Sequence, residues 1–161
     1  MIYRFQIDDL SAIQWPLLSN NTIINSISQL NSILFTTDIT FLSGVGNELN
    51  SSYRLSFTRF LFLKRIVIEN ECFQHVREYV IDGLPNLESV IIGSNCFRIG
   101  YGESDDGICR ITNCPNLRHL EIGDESFVDF KSFEISNLSS LQSIKFGHNC
   151  FLYADFSLKG E

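Results

Sequence analysis

Four stretches of the chain repeat one apolar spacing: Leu63-x-x-Ile66-x-Ile68, Leu87-x-x-Val90-x-Ile92, Leu117-x-x-Leu120-x-Ile122 and Leu141-x-x-Ile144-x-Phe146. In each, a phenylalanine follows five residues after the last apolar position: Phe73, Phe97, Phe127 and Phe151. Such self-similarity implies stacked coils, because one unit cannot bury its apolar side alone and needs a neighbour on each side. Successive anchors are 24, 30 and 24 residues apart. The long step contains residues 100–107, a polar, glycine-rich run that reads as a loop bulging from one coil.

Each unit carries a second apolar pattern: Tyr79-x-Ile81-x-x-Leu84, Cys109-x-Ile111-x-x-Cys114 and Phe133-x-Ile135-x-x-Leu138, with Phe156-x-Leu158 closing the last unit one residue early. Alternation rich in β-branched and aromatic residues predicts a strand buried on one side. Each coil therefore has two short strands joined by turns. Pro85-Asn86 and Pro115-Asn116 supply one turn, where proline presets φ. Gly93, Gly123 and Gly147 mark the opposite corner, where a sharp bend is expected.

Sliding the pattern upstream fits Ile24-x-x-Ile27-x-x-Leu30-x-x-Ile33-x-Phe35, which places an anchor at Leu30 and an extra loop over Gly44 to Ser52 before Leu63. Leu55-x-Phe57-x-x-Phe60 and Phe5-x-Ile7-x-x-Leu10 fit the second pattern. A weak anchor at Ile13 lies only 17 residues before Leu30, so residues 1–23 are read as a degenerate N-terminal coil or cap. The expected architecture is mostly β: a solenoid over residues 24–161, with about five to six coils of roughly 24 residues, two short parallel strands per coil and little helix. Its coils are anchored at Leu30, Leu63, Leu87, Leu117 and Leu141, and it is expected to continue beyond, or be truncated at, the C-terminus, since no polar end-cap is visible.

These units resemble the leucine-rich repeat family. Leu87, Val90, Ile92, Asn95 and Phe97 match its consensus position by position, as do Leu141, Ile144, Phe146, Asn149 and Phe151. Glu71 and Glu125 stand where the family has Asn or Cys, and the resemblance implies a looser corner there, since the family's asparagine bonds backbone groups. The phenylalanines and the Ile-Gly-x-x-Ser/Cys-Phe wording are most similar to the BspA-like branch, found in surface and secreted proteins of bacteria and unicellular eukaryotes. The resemblance implies a non-catalytic protein–protein interaction module presenting a sheet face to a protein or peptide.

Strand alternation identifies the side chains that leave the core. On the first sheet these include Leu34, Arg65, Val67, Ser89, Ile91, His119, Glu121 and Lys145, which form the candidate partner-binding set. The middle column reads Leu34, Val67, Ile91, Glu121, Lys145, apolar first and charged last. Water-facing strand surfaces are ordinarily polar, so adjacent apolar residues beside Arg65 and His119 suggest an anchor patch with a polar rim. The outward column of the other sheet, Val80, Arg110, Glu134 and Ser157, reads as solvated surface.

Composition narrows the alternatives. Net charge is −7 and the 12 Lys and Arg residues are scattered, so nucleic-acid binding has no electrostatic footprint. No apolar run approaches the roughly 20 residues of a membrane span, and the N-terminus has no signal-peptide core. The default location is cytoplasmic. A fragment of a cell-surface adhesin or receptor is the alternative, and only then would the sequons at Asn20, Asn50 and Asn137 matter. Of the five cysteines, Cys72, Cys96 and Cys150 precede the repeat phenylalanine, where Ser126 stands in the third unit. Cys109 and Cys114 fall at apolar strand positions, so all five read as small buried residues. A thiol-dependent enzyme or enzyme-regulatory segment is the remaining rival, and it requires Cys72 or Cys96 to be exposed with a depressed pKa. His75, His119 and His148 occupy unrelated positions, and Glu103-Ser104-Asp105-Asp106 lacks the ligand order of a calcium loop. No catalytic residue, cofactor or metal site is expected.

Overall fold

The computed structural model describes residues 21–50, 52–99 and 106–159. In chain order the elements are β1 (Thr22–Ile24), α1 (Ile27–Ser32), β2 (Asp38–Phe41), β3 (Arg54–Ser56), β4 (Arg65–Ile68), β5 (Glu78–Asp82), β6 (Ser89–Ile92), β7 (Gly107–Thr112), β8 (His119–Ile122), β9 (Phe130–Ser136), β10 (Ser143–Phe146) and β11 (Asp155–Lys159). The chain crosses between two all-parallel sheets. One has the order β1-β2-β4-β6-β8-β10 and the other β3-β5-β7-β9-β11. This is a β-solenoid, mostly β, as the repeated spacing predicts.

Register follows the repeat. Ile66, Val90, Leu120 and Ile144 lie side by side, as do Ile68, Ile92, Ile122 and Phe146. On the other sheet Tyr79, Cys109, Phe133 and Phe156 are neighbours. Of these inward residues, all but Ile144, Phe146 and Phe156 of the last coil join Leu63, Leu87 and Leu117 in one continuous core. A shift at Gly107/Ile108 keeps β7 in step with β9.

The repeat phenylalanines stack along the axis. Ring centroids are 5.3 Å apart for Phe73–Phe97, 4.5 Å for Phe97–Phe127 and 4.8 Å for Phe127–Phe151, with planes within 17° of parallel. Complete burial of each ring is worth about 1.5–3 kcal/mol. The column also sets the corner's backbone. Glu71, Asn95, Glu125 and Asn149 have φ of 60°, 57°, 54° and 56°, and the four phenylalanines lie between 51° and 57°. Each corner is thus a left-handed residue, one ordinary residue, then a second left-handed residue. Asparagine tolerates this region better than most residues, which is what its position in two coils reflects. Glutamate holds the same conformation in the other two.

The corner is clipped by the residue between the two left-handed ones, not by the asparagine. Each donates to the carbonyl just past the first-sheet strand of the preceding coil. Cys72 Sγ reaches Leu42 O at 3.2 Å, Cys96 Sγ reaches Glu69 O at 3.0 Å, Ser126 Oγ reaches Gly93 O at 2.8 Å and Cys150 Sγ reaches Gly123 O at 2.9 Å. Ser126 Oγ also accepts the Cys96 N–H at 3.0 Å. The glycines serve close approach rather than a bend: a Cβ at Gly123 would stand 2.7 Å from Gly93 C and 2.8 Å from Ser94 N.

The first described coils depart from the sequence reading. Residues around Leu30 form α1, not an anchor leading into a strand. The strand is β2, with Ile39 beside Ile66 and Phe41 beside Ile68. The residue three before Ile39, equivalent to Leu63, is Thr36. It is buried because Thr36 Oγ1 bonds Asp38 O at 2.8 Å and Thr22 Oγ1 at 2.9 Å. Spacing by threes from Ile24 to Ile33 suits a helix as well as a coil, and the helix prevails. The expected loop over Gly44 to Ser52 begins as a repeat corner: Gly44 and Gly46 have φ of 80° and 84°, and Val45 O accepts the Phe73 N–H. β1 pairs with β2 and belongs to the stack. The proposed weak anchor at Ile13 and the Phe5-x-Ile7-x-x-Leu10 pattern lie outside the described residues, as does all of the acidic loop except Asp106.

Candidate protein-binding surface

The structure places seven of the eight candidate residues on one face of the first sheet. Arg65, Ser89 and His119 form one row, and Val67, Ile91, Glu121 and Lys145 form the next. His119 Nδ1 lies 3.0 Å from Ser143 Oγ, and Lys145 Nζ lies 3.9 Å from Glu121 Oε2. Val67 and Ile91 are half-buried even at the surface. The eighth residue, Leu34, is not on this sheet. It lies in the segment between α1 and β2, and Thr40 takes its expected place beside Val67. The column therefore runs Ile23, Thr40, Val67, Ile91, Glu121, Lys145, with a hydroxyl interrupting its apolar half.

Correcting the register gives Leu34 a different partner. Thr36 is equivalent to Leu63, so Leu34-Phe35 is equivalent to Leu61-Phe62 one coil on. The two pairs meet on the outer corner ahead of β2 and β4. Leu34 is 78% exposed, Phe35 58%, Leu61 54% and Phe62 53%, and the Phe35 and Phe62 rings are 6.2 Å apart. A shallow groove runs between them, lined also by Thr36, Arg59 and Phe60. Arg59 lies over the Phe60 ring at 4.6 Å and donates to Leu30 O, which fixes a cation at the rim.

In the later coils the same corner is Pro85-Asn86, Pro115-Asn116 and Ser139-Ser140. There the polar side chains reach one coil back: Asn116 Nδ2 donates to Pro85 O at 2.7 Å and Asn86 Nδ2 to Leu61 O at 2.8 Å. The apolar pairs thus replace a turn chemistry that the rest of the stack uses to hold itself together. Phe35, Leu61 and Phe62 were not in the candidate set. The signal was a Leu-Phe pair at a position where the other coils carry turn residues, and it is visible only once Thr36 is known to be the anchor.

The other sheet's outward column, Ser56, Val80, Arg110, Glu134, Ser157, is in register. Arg110 Nε lies 3.0 Å from Glu134 Oε2. Val80, expected to be solvated, is buried; the Arg54–Glu78 and Arg110–Glu134 ion pairs flank it.

The cysteines sit inside. Cys72, Cys96, Cys109 and Cys114 are buried and Cys150 is partly exposed, all as free thiols. The Cys96 hydrogen bond holds the Cys72 thiol below its ordinary value, while the same bond and burial push Cys96 up. Burial raises Cys109, and takes Cys114 to about 11. The one lowered thiol has no accessible surface, so it meets only half of the requirement for a reactive cysteine. Among the described residues no group of three or more His, Cys, Asp or Glu side chains is arranged to hold a metal ion, and no helix is long and apolar enough to cross a membrane. At the Asn137 sequon, Asn137 Nδ2 donates to Asn113 Oδ1 at 2.7 Å, so the nitrogen that would carry a glycan is already engaged.

Compared with family models, curated proteins and solved structures, the chain matches none.

Proposed function

We propose that this chain is a non-catalytic protein-interaction module. Its anchor is the corner made by Leu34, Phe35, Leu61 and Phe62. The first-sheet face carrying Arg65, Val67, Ser89, Ile91, His119, Glu121 and Lys145 forms the flanking, mostly polar surround. The observation that carries this reading is the exposure of four large apolar side chains from two successive coils at one place. A contiguous apolar patch of this kind costs solubility and marks contact with another molecule. Aromatic anchors ringed by polar groups supply most of the affinity in protein interfaces, and Arg59 offers a cation beside the rings.

The occupant is a protein or peptide offering apolar side chains to the groove and a carboxylate to Arg59. The leucine-rich repeat resemblance, nearest the BspA-like branch, supports the same class of function, since such solenoids present surfaces rather than reaction centres. It does not choose a ligand.

The test is comparative capture. The wild-type chain and a Phe35→Ser/Phe62→Ser variant are immobilised and exposed to extract of the source cell. Proteins held by the wild type and lost by the variant, with the melting temperature unchanged, support the assignment. Equal retention by both overturns it. A Val67→Lys/Ile91→Lys variant, measured alongside, separates the corner from the sheet face: loss of capture there alone moves the site onto the sheet.

A further inference from the structure

Two of the five cysteines stand side by side. Cys72 and Cys96 fill the same corner slot of successive coils, four residues past Ile68 and Ile92, which are paired in β4 and β6. Backbone bonds bracket them: the Glu71 N–H donates to Ser94 O at 2.9 Å and the Phe97 N–H to Cys72 O at 3.0 Å. The two coils therefore keep strand spacing through the corner, about 4.8 Å. A disulfide spans Cα atoms roughly 4.4–6.8 Å apart. The side chains meet as well, since the two thiols are hydrogen-bonded to each other.

No other thiol has such a neighbour. The next coil carries Ser126 in this slot, bonded to the Cys96 N–H, and it separates Cys96 from Cys150. Cys109 lies on the other sheet between Tyr79 and Phe133. Cys114 stands where the coils on either side have Leu84 and Leu138. An unbroken column of cysteines would allow several neighbouring pairs, and the serine leaves one.

We infer that Cys72 and Cys96 form a cross-linking site, at which a small-molecule disulfide of the glutathione class oxidises the pair to an intramolecular disulfide that locks the Leu63 coil to the Leu87 coil. The Cys72 thiolate attacks one sulfur of the small disulfide, forming a mixed disulfide and releasing one small thiolate. Cys96 then gives up its proton and attacks the Cys72 sulfur, and the second small thiolate leaves. Two protein thiols are oxidised, one small disulfide is reduced to two thiols, and those thiols take up the two protons. Cys72 suits the first step because the bond from Cys96 holds its thiol below the ordinary value, and the thiolate is the attacking form. Both sulfurs are closed off in the packed coils, but Glu71 beside Cys72 is exposed. The exchange therefore runs when this surface corner opens locally, or before it closes in folding.

The link replaces two thiol contacts, to Leu42 O and Glu69 O. Leu42 O keeps the Val45 N–H at 3.2 Å. A thiol is a weak donor, whereas closing the loop over 72–96 restricts the unfolded chain, so the link dominates. Coils of a solenoid contact only their neighbours. The lock thus acts on the junction between the coil that carries Leu61-Phe62 and the regular coils after it, and it stands whether or not that corner binds a partner.

The reduced 161-residue chain is incubated with glutathione disulfide and reduced glutathione in varied ratio. It is then quenched with an alkylating reagent in denaturant, digested and read by mass spectrometry. A peptide joining Cys72 to Cys96, short of two hydrogens, is expected, with Cys109, Cys114 and Cys150 alkylated. The cross-linked chain is expected to melt roughly 5–10 °C above the reduced chain. Cys72→Ser and Cys96→Ser each remove both the link and the shift, and both are expected to fold, since serine already fills the slot at Ser126. Cys150→Ser leaves link and shift in place. A chain that stays reduced at every ratio, carries only mixed disulfides with glutathione, links other cysteines, or links Cys72 to Cys96 without a rise in melting temperature overturns the proposal.

Discussion

The coils from Leu63 onward and the coils before it solve the same packing problem differently. In the later coils a leucine anchors each unit, a thiol or hydroxyl clips its corner, and the turn ahead of the first strand is polar and bonded to its neighbour. In the earlier coils the anchor is Thr36, the corner is Gly44-Val45-Gly46, a helix is inserted, and the turn is Leu-Phe twice. The coils anchored at Leu87 and Leu117 keep their large apolar groups inside, while the irregular ones bring four exposed ones, Leu34, Phe35, Leu61 and Phe62, together at one corner, which is what separates a scaffold from a surface available for recognition.

The largest expected effect sharpens that contrast between two phenylalanines. Phe97→Ala empties the centre of the ring stack and is expected to cost about 3–5 kcal/mol, read as a lower midpoint in denaturant melts. Phe62→Ala, at the exposed corner, is expected to change stability by no more than about 0.5 kcal/mol while weakening partner capture. If the two variants melt alike, the division into scaffold and surface fails.

Gly123→Ala probes how tightly the regular coils approach. Its new methyl would meet the backbone of the preceding coil at 2.7 Å, and overpacking of this kind costs about 1–3 kcal/mol. Thermal melting measures it, and an unchanged melting temperature would mean the coils can separate locally at no cost.

Ser126 tests the clip. Ser126→Ala leaves the Gly93 carbonyl and the Cys96 N–H without their partner, a loss of about 1–3 kcal/mol for buried groups. Ser126→Cys supplies the donor used in the other coils and is expected to recover most of it. Equal losses would mean that volume, not hydrogen bonding, fixes that residue.

The smallest effect is on pH. Hydrogen bonds from Thr112 and Asn113 hold the Asp82 carboxyl below its ordinary value. A depressed folded value means the unfolded chain binds the proton first. The stabilisation is complete above the unfolded value near 4 and is lost as pH falls through the folded one. Asp82→Asn should therefore lower stability slightly at neutral pH, leave it unchanged at pH below the folded value, and so flatten the acid limb of the stability curve.

Most of the scaffold was legible because apolar spacing and strand register are one property. Once Leu63, Leu87, Leu117 and Leu141 are aligned, the pairings from β4 to β10 follow, and β11 pairs one residue early, as Phe156-x-Leu158 reads. Thr36 was not legible, because a buried threonine looks polar until its hydroxyl partners are known. That one substitution displaced the register of Leu34 and hid the corner. The clip was half-legible. The recurrence of Cys72, Cys96, Ser126 and Cys150 marked a structural column, but only the coordinates show each side chain reaching to the coil behind it. Val80 was misread because period-two alternation tells which way a side chain points and not what flanks it.

The cysteine column gives the molecule an internal depth gauge. Cys150 lies in the last described coil and is partly exposed, while Cys96 lies two coils deeper, past Ser126, and Cys72 one coil deeper again, both closed off. A solenoid whose coils contact only their neighbours melts from its ends. Under gentle denaturation the thiols should therefore become available in spatial order, Cys150 before Cys96. The chain would then report the position of its own melting front without a label being introduced.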